Sequence, residues 1–260
     1  MKDQFVIACI ENAANAAVVL PWARHMAERL NHKGLMALHV SPEKGDDGWL
    51  KELGVPYVSM QGDWATAIEG LPIAFNGILT VAASDPKAPR TSLTHPKTLL
   101  HEFRNCKTAY LVVNGNCAPR APFTASLTLT HRREGKEKLV WASYLARFVG
   151  GQVVIASPHY RDEDLRMRWH NNMRFVNKVF GPLEIQYSTF TIHPSTLTSP
   201  DLAAINELKP DLLIARTSDI REKDLIDLLL PHPEVQLLTH PLHPLILFLN
   251  PRDDLYILCD

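Results

Sequence analysis

The chain has 260 residues, of which 46% are hydrophobic and 21% are charged, so it can bury the core of one large or two ordinary globular domains. Its formal net charge of −1 lacks the basic excess that predicts nucleic-acid binding. The first apolar run, at residues 5–10, is too short for a signal peptide core or a membrane span, and the four cysteines form no CxxC pair. We therefore expect a cytoplasmic protein with reduced thiols, no nucleic-acid partner and no membrane insertion.

The first half of the chain alternates apolar strand patterns with helical patterns. Residues 5–10 are continuously apolar, which is typical of a strand in a parallel sheet covered on both faces. Asn12 or Asn15 can cap the next helix, and Pro21 is expected to kink or interrupt it because proline removes a backbone hydrogen bond. The remaining predicted elements are a strand at 35–40, a short helix at 47–53, a strand at 55–60, a helix at 64–71, a strand at 78–82, a helix at 97–103 and a strand at 109–113.

Residues 114–122 are rich in turn-forming residues and are interpreted as a linker, after which the same alternation starts again. Strictly alternating strands and helices predict parallel sheets with helices on both faces. The elements predicted after the linker are strands at 125–130, 152–156, 185–192, 212–215 and 245–249, and helices at 137–149, 162–180, 202–208 and 220–230.

Residues 20–42 and 139–158 are two copies of one pattern. Trp22-Ala23 in the first copy matches Trp141-Ala142 in the second, and Ser41-Pro42 matches Ser157-Pro158 after a slightly shorter spacer. Similarity at a nearly fixed offset indicates duplication of a whole structural unit. We therefore predict two tandem domains of the same α/β design, at residues 1–116 and 122–260.

The order of several short motifs within each copy resembles that of the universal stress protein family. The resemblance covers nearly the whole chain, although Thr108 departs from a proline that the family has before its last strand and that Pro244 keeps in the second copy. It implies two tandem adenine-nucleotide-hydrolase-like domains, each with a five-stranded parallel sheet of order 3-2-1-4-5 and helices on both faces. The motifs are the Trp-Ala-x-x-x-Ala phrases at Trp22 and Trp141, Leu38-His39-Val40, Gly62-Asp63 before Ala67-Ile68, and Lys209-Pro210-Asp211-Leu212-Leu213 at the fourth strand.

The resemblance also implies a ligand crevice in each domain, where strands 1 and 4 diverge at their carboxyl ends. Glu11 stands at the position of the family's acidic residue, which is expected to bind ribose, and the second copy has Thr130-His131 in that region. The candidate ligand-binding residues are Ile10, Glu11, Val40, Ala83 and Ser84 in the first crevice, and Thr130, His131, Ala156, Arg216 and Thr217 in the second.

The glycine-rich loop of the ATP-binding members of the family is missing from both copies. That loop, G-x-x-G-x9-G-[S/T] after strand 4, lets backbone N–H groups approach the phosphates. Here no glycine lies between Gly77 and Gly115, Pro86 and Pro89 remove two N–H donors, and no glycine follows Gly181 in the second copy. We therefore expect the non-ATP-binding type, with no cofactor and with ATP and AMP disfavoured.

The family resemblance further implies pairing between domains along their last strands. Apolar strand edges at residues 110–113 and 245–249 would otherwise be exposed. We expect an intramolecular pseudo-dimer of the two domains through strand 5, and this arrangement also allows a homodimer of chains.

Three functional hypotheses remain open from the sequence. The first is a stress-response regulatory or small-ligand-binding protein, the second an ATP- or AMP-binding stress protein whose phosphate site is rebuilt from Lys87, Arg90 or Arg216. The third is a regulatory domain pair related to those of cation/proton antiporters. We expect no enzyme, because no G-x-S-x-G, HExxH or P-loop motif occurs, and no metal site, because the histidines between residues 231 and 244 lie in a proline-rich stretch interpreted as a loop.

Overall fold

The structure is a computed structural model, and it describes residues 4–31, 33–42, 48–114, 118–119, 123–132, 135–195, 198–218, 232–242 and 245–251. Grouped by their contacts, the described residues form two compact units. Unit 1 takes those within Met1–Pro119, Thr217–Thr239 and Asn250–Asp260, and unit 2 takes those within Arg120–Arg216 and His240–Leu249. The division at 1–116 and 122–260 stays a prediction about the boundaries of the sequence repeat.

Unit 1 contains a five-stranded parallel sheet. Its strands are β1 (Phe5–Cys9), β2 (Gly34–Ser41), β3 (Tyr57–Gln61), β4 (Gly77–Ser84) and β5 (Ala109–Asn114), and its helices between strands are α1 (Ala13–Arg29), α2 (Gly48–Lys51), α3 (Trp64–Phe75) and α4 (Pro96–Glu102). The strand order is β3-β2-β1-β4-β5, which confirms the predicted 3-2-1-4-5 order. Strands β1, β4 and β5 are buried along most of their length, as expected for a sheet covered on both faces.

Unit 2 repeats this design. Its elements are β6 (Phe123–Thr128), α5 (Lys136–Tyr144), β7 (Gly151–Pro158), α6 (Glu163–Phe180), β8 (Tyr187–Ile192), α7 (Pro200–Leu208), β9 (Leu212–Arg216) and β10 (Leu245–Leu249). All strand pairs within the unit are parallel, and their order is β8-β7-β6-β9-β10. This is again 3-2-1-4-5 when the strands are counted within the unit, so the predicted order is confirmed in both units.

Helix α1 passes through Pro21 without a break, so the expected interruption is wrong. Proline cannot donate a hydrogen bond to the carbonyl of Ala17, four residues earlier. Both Pro21 and Ala17 are exposed, and water can therefore satisfy that carbonyl while the helix continues. Of the two predicted caps, Asn12 begins the helix, because its side-chain oxygen accepts a hydrogen bond from the backbone N–H of Asn15 at 2.9 Å.

The helix predicted at residues 137–149 is present but changes its winding. Helix α5 continues directly into a π-helical turn at Leu145–Val149, which ends at Gly150. Gly150 has a φ of 84°, a conformation that glycine adopts without the steric cost of a side chain. The backbone therefore leaves the helix abruptly at this point and enters β7.

A short helix, α8 (Pro233–Leu238), lies in the proline-rich stretch that the sequence analysis assigns to a loop, and that assignment is wrong for these residues. Pro233 occupies the first helical position, where its fixed φ fits and its missing N–H is not needed. Helix α8 belongs to unit 1 and packs against α4. The buried carboxylate of Glu234 accepts hydrogen bonds from the Ser218 N–H at 2.5 Å and hydroxyl at 2.6 Å. The helix predicted at 220–230 lies outside the described residues.

The carbonyl groups after α4 are satisfied by a single side chain. A 3-10 turn at Phe103–Asn105 follows α4. Asn250 is buried, and its Nδ2 donates to the carbonyl oxygens of Phe103 at 2.7 Å and Cys106 at 2.8 Å. Its Oδ1 accepts a hydrogen bond from the Thr217 hydroxyl at 2.8 Å. Asn250 therefore provides the partners that a helix end cannot supply from its own backbone.

Candidate functional site

In unit 1 the candidate crevice lies at the fork between β1 and β4. Strand β1 pairs with β2 on one side and β4 on the other, so the segments that follow β1 and β4 diverge at the carboxyl edge of the sheet. The structure places all five predicted residues of this crevice at that edge: Ile10 and Glu11 directly after β1, Ala83 and Ser84 at the end of β4, and Val40 near the end of β2. All are buried except Glu11, which is half-buried.

The carboxylate of Glu11 is bound by the loop that follows β4. Its Oε2 accepts a hydrogen bond from the Ser92 hydroxyl at 2.5 Å, and its Oε1 accepts one from the backbone N–H of Leu93 at 3.1 Å. The Glu11 N–H in turn donates to Asn15 Oδ1 at 3.0 Å, which fixes the backbone at the start of the turn. The acidic group that the family resemblance assigns to ribose therefore binds the protein itself.

The loop at residues 85–95 follows β4, where the family resemblance implies a phosphate-binding loop, and most of its backbone amides already donate hydrogen bonds. Pro86 and Pro89 have no N–H, and the backbone amides of Arg90 and Thr91, at the tip of the loop, have no acceptor among the described residues. The other seven amides donate to the loop's own atoms or to Glu11; they belong to Asp85, Lys87, Ala88, Ser92, Leu93, Thr94 and His95. The loop is thus held by hydrogen bonds and offers no ring of amides at the fork.

Two polar side chains beside the fork differ in how they are satisfied. The Nδ1 of His39 lies 2.8 Å from the carbonyl oxygen of Ile10, so this nitrogen must carry the proton and donate. The buried His39 ring also makes an edge contact with Trp49 at 5.4 Å between centroids, which indicates a structural role. The buried hydroxyl of Ser84 has no hydrogen-bond partner among the described residues. One unsatisfied hydroxyl can bind a single small polar group, but it cannot replace a phosphate loop.

In unit 2 the turn after β6 is held by side chains from the segment that follows β7. Asn172 Nδ2 donates to the carbonyl oxygens of Thr130 at 2.8 Å and Arg132 at 3.0 Å. The N–H of His131 donates to the Tyr160 hydroxyl at 3.0 Å, and the two rings meet edge to face. Burial raises the pKa of Tyr160, although the hydrogen bond from His131 opposes that shift. The phenol is therefore neutral near pH 7. A neutral hydroxyl oxygen can still accept the hydrogen bond from the His131 N–H.

The five predicted residues of the second crevice lie near or directly after the ends of β6, β7 and β9. Thr130, His131, Ala156 and Arg216 belong to unit 2, with Ala156 fully buried in β7 and Arg216 at the end of β9. Thr217 is grouped with unit 1, where its hydroxyl binds Asn250. Thr217 directly follows Arg216 in the chain, so the second candidate site stays a prediction of five residues, and Thr130 and His131 lie in the turn that Asn172 and Tyr160 hold.

No protein-family model and no curated protein matches this sequence. Among solved structures, the chain is similar to a protein of unknown function from Pseudomonas aeruginosa PAO1, with 14% identity, a TM-score of 0.67 and coverage of 99% of this chain and 95% of that one. It is also similar to a universal stress protein from Archaeoglobus fulgidus DSM 4304, with 11% identity, a TM-score of 0.64 and coverage of 96% and 97%. This chain has the universal stress protein fold.

A further similar structure with this fold is the cytoplasmic domain of a prokaryotic cation chloride cotransporter. The identity is 11%, the TM-score is 0.57, and the alignment covers 95% of each chain. At identities this low, structural likeness establishes the shared fold and carries no information about the ligand. The duplicated universal stress protein fold that the sequence predicts is therefore established, and its ligand must be argued from the residues.

A buried polar cluster in unit 2 is absent from the sequence-based candidates. The ammonium of Lys138, near the start of α5, donates to the Thr128 hydroxyl at 2.9 Å and carbonyl at 3.3 Å, and it lies 3.5 Å from the Asp201 carboxylate. The Thr128 hydroxyl also donates to Asp201 at 2.5 Å. The available signal was the position of Lys138, four residues before the buried Ala142 and therefore on the buried face of the helix.

Among the residues that the structure describes, no group of three or more His, Cys, Asp or Glu side chains is arranged to hold a metal ion. None of the described helices combines the length and the apolar character needed to cross a membrane.

Proposed function

We propose that this chain is a non-catalytic regulatory protein with the universal stress protein fold, and that its crevices do not bind ATP in the manner of the family. The observation that supports this proposal is the pair of hydrogen bonds between Glu11 and the loop at residues 85–95. These bonds join the acidic side chain that would bind ribose to the loop that would bind phosphates. Each therefore serves as the hydrogen-bond partner of the other.

The free energy needed to open this arrangement can be estimated from the two bonds. A hydrogen bond to a charged group contributes about 1.5–3 kcal/mol, so releasing Ser92 and Leu93 from Glu11 costs about 3–6 kcal/mol. The side chain of Leu93 is also buried, and opening the loop would expose it. Because each 1.4 kcal/mol changes affinity tenfold, the two bonds alone would weaken nucleotide binding by roughly 10²–10⁴-fold.

Titration calorimetry and thermal-shift measurements test the proposal. ATP is compared with tripolyphosphate, which carries the same phosphate chain without adenosine, and with adenosine alone. We expect ATP to bind no more tightly than tripolyphosphate and to stabilise the protein no further, and we expect no ADP to form. Binding that requires adenosine, and that is lost in Glu11→Ala while the variant stays folded, would overturn the proposal, because it would show that the crevice opens for nucleotide.

A second candidate function is that of a regulatory domain for a membrane transporter. The similarity to the cytoplasmic domain of a cation chloride cotransporter, over 95% of each chain, favours it. Analysis of the native transcript distinguishes the two candidates. Membrane-spanning segments in the same reading frame as this chain would support the transporter role, and a separate transcript together with recovery of the native protein free of membranes would count against it.

A further inference from the structure

An open depression on unit 1 is lined mainly by basic side chains. Its volume is about 440 Å³, and it is lined by Arg90, Lys97, Thr98 and His101, which we call the Arg90 depression. Arg90 lies at the tip of the loop that follows β4, and the other three residues lie on α4. The lining includes two permanently charged cations and an imidazole but no carboxylate, so its electrostatic character favours an anion.

One contact within the unit holds the backbone that carries Arg90, whereas the Arg90, Lys97 and His101 side chains are exposed. The Thr98 hydroxyl donates to the carbonyl oxygen of Arg90 at 2.6 Å, which ties the loop tip to α4. Lys97 and His101 are four residues apart and therefore lie on the same side of the helix. Arg104 extends this basic face, since its Nη2 lies 3.4 Å from Nδ1 of His101.

The basic groups of this face have no acidic partners within the described part of the chain. The ion pairs found there involve other residues, and no Asp or Glu oxygen lies within 4 Å of the charged nitrogens of Arg90, Lys97 or Arg104. The backbone amides of Arg90 and Thr91 also have no acceptor within the described ranges, unlike the other N–H groups of their loop. Like charges held together without counter-charges destabilise the fold, and a bound anion would relieve that repulsion.

We propose that the Arg90 depression binds a phosphate dianion, either free or as part of a small organic phosphate. The Arg90 guanidinium can donate two parallel hydrogen bonds to phosphate oxygens, and Lys97 and His101 can donate from the helix side. The volume exceeds that of a phosphate ion and lies within the range of small-molecule sites, so an organic group can accompany the phosphoryl group. None of the four lining residues is one of the predicted crevice residues, and the proposal holds whether or not the crevice admits ATP.

Calorimetry on the full chain with ribose 5-phosphate, inorganic phosphate and ribose tests this site. We expect saturable binding of ribose 5-phosphate with one site per chain and a Kd of about 1 mM or below at low salt, and no binding of ribose. Affinity should fall as salt rises, because the depression is open to solvent. Similar affinity for inorganic phosphate would assign free phosphate as the ligand, whereas tighter binding of ribose 5-phosphate would assign an ester; both results support the proposal.

Variants distinguish this site from general attraction of anions by surface charge. Arg90→Ala and Lys97→Ala should each weaken ribose 5-phosphate binding by about tenfold or more, and Arg90→Lys by less. Lys107→Ala is the matched control, because Lys107 is an exposed cation of the same unit outside the depression, and it should change the affinity by less than about twofold. Equal weakening in Arg90→Ala and Lys107→Ala, binding unaffected by Arg90→Ala, or binding of tripolyphosphate without ribose 5-phosphate would overturn the proposal.

Discussion

The buried Lys138 cluster provides the sharpest test of how unit 2 is stabilised. Replacing Lys138 by Met keeps the aliphatic stem and removes the ammonium, which leaves the Thr128 carbonyl and the Asp201 carboxylate without this donor. Removing one partner of a buried ion pair costs about 3–5 kcal/mol. The Asp201 side chain retains 18% exposure, and its 3.5 Å contact with Lys138 is long, so we expect a loss at or below the lower end of that range, about 2–3 kcal/mol.

The assay is thermal and urea unfolding followed by circular dichroism at pH 7. A loss of about 2–3 kcal/mol should lower the melting temperature by roughly 5–10 °C for a domain of this size. Lys178→Met is the matched control, since Lys178 is exposed on α6 of the same unit, and it should change stability by less than about 0.5 kcal/mol. If Lys138→Met unfolds at the same temperature as this control, the cluster does not stabilise the unit and the reasoning from its burial fails.

A double-mutant cycle separates the pair from the rest of the cluster. Asp201→Asn removes the negative charge but keeps an acceptor for the Thr128 hydroxyl. Because Lys138 and Asp201 are in contact, the double variant should lose about 1 kcal/mol less than the sum of the two single variants. Strict additivity would show that Lys138 acts through Thr128 alone.

Three further predictions concern single residues. Asn250→Ala should destabilise the protein by about 2–3 kcal/mol in urea unfolding, because two buried carbonyls lose their donor, and Asn250→Asp should not restore it, since an ionised carboxylate cannot donate. Gly150→Ala should cost about 1–2 kcal/mol by the same measurement, whereas Gly181→Ala should not destabilise: both sites have space for a methyl group, but only Gly150 has a positive φ. Burial lowers the pKa of His25 below 6.5, so the unfolded chain takes up the proton first; stability should therefore fall as pH drops below about 6.5, and His25→Gln should flatten that part of the profile.

The alternation of strands and helices was predictable because it follows from features that the sequence displays locally. Continuous apolar runs such as residues 5–10 identify strands buried on both faces, and duplication of the Trp-Ala phrase at Trp22 and Trp141 gives two copies of one unit. The resemblance to a known family then supplied the order of the strands. The start of α1 was also readable, since Asn12, one of the two predicted caps, begins that helix with the side chain that such positions favour.

The features that the sequence did not reveal depend on contacts between distant residues. Glu11 and Ser92 are 81 positions apart, and nothing near either residue indicates that they bind each other. Helix α8 was assigned to a loop because prolines dominate its surroundings, although Pro233 is compatible with a first helical turn. Lys138 was overlooked because a single lysine in a helix is usually exposed, and its burial depends on Thr128 and Asp201.

The two units satisfy the turn after their first strand in different ways, and this difference bears on function. A turn at the fork of a parallel sheet presents polar groups that need partners, and in nucleotide-binding proteins the ligand is one such partner. In unit 1 the loop at residues 85–95 donates hydrogen bonds to the Glu11 carboxylate. In unit 2 Asn172 donates to the Thr130 carbonyl, and the Tyr160 hydroxyl accepts from the His131 N–H. Because unrelated side chains perform the same task in the two units, the turn after the first strand is satisfied in each unit without a ligand. A nucleotide would have to displace a different set of hydrogen bonds in each unit, and a substitution that opens one fork should leave the other unchanged.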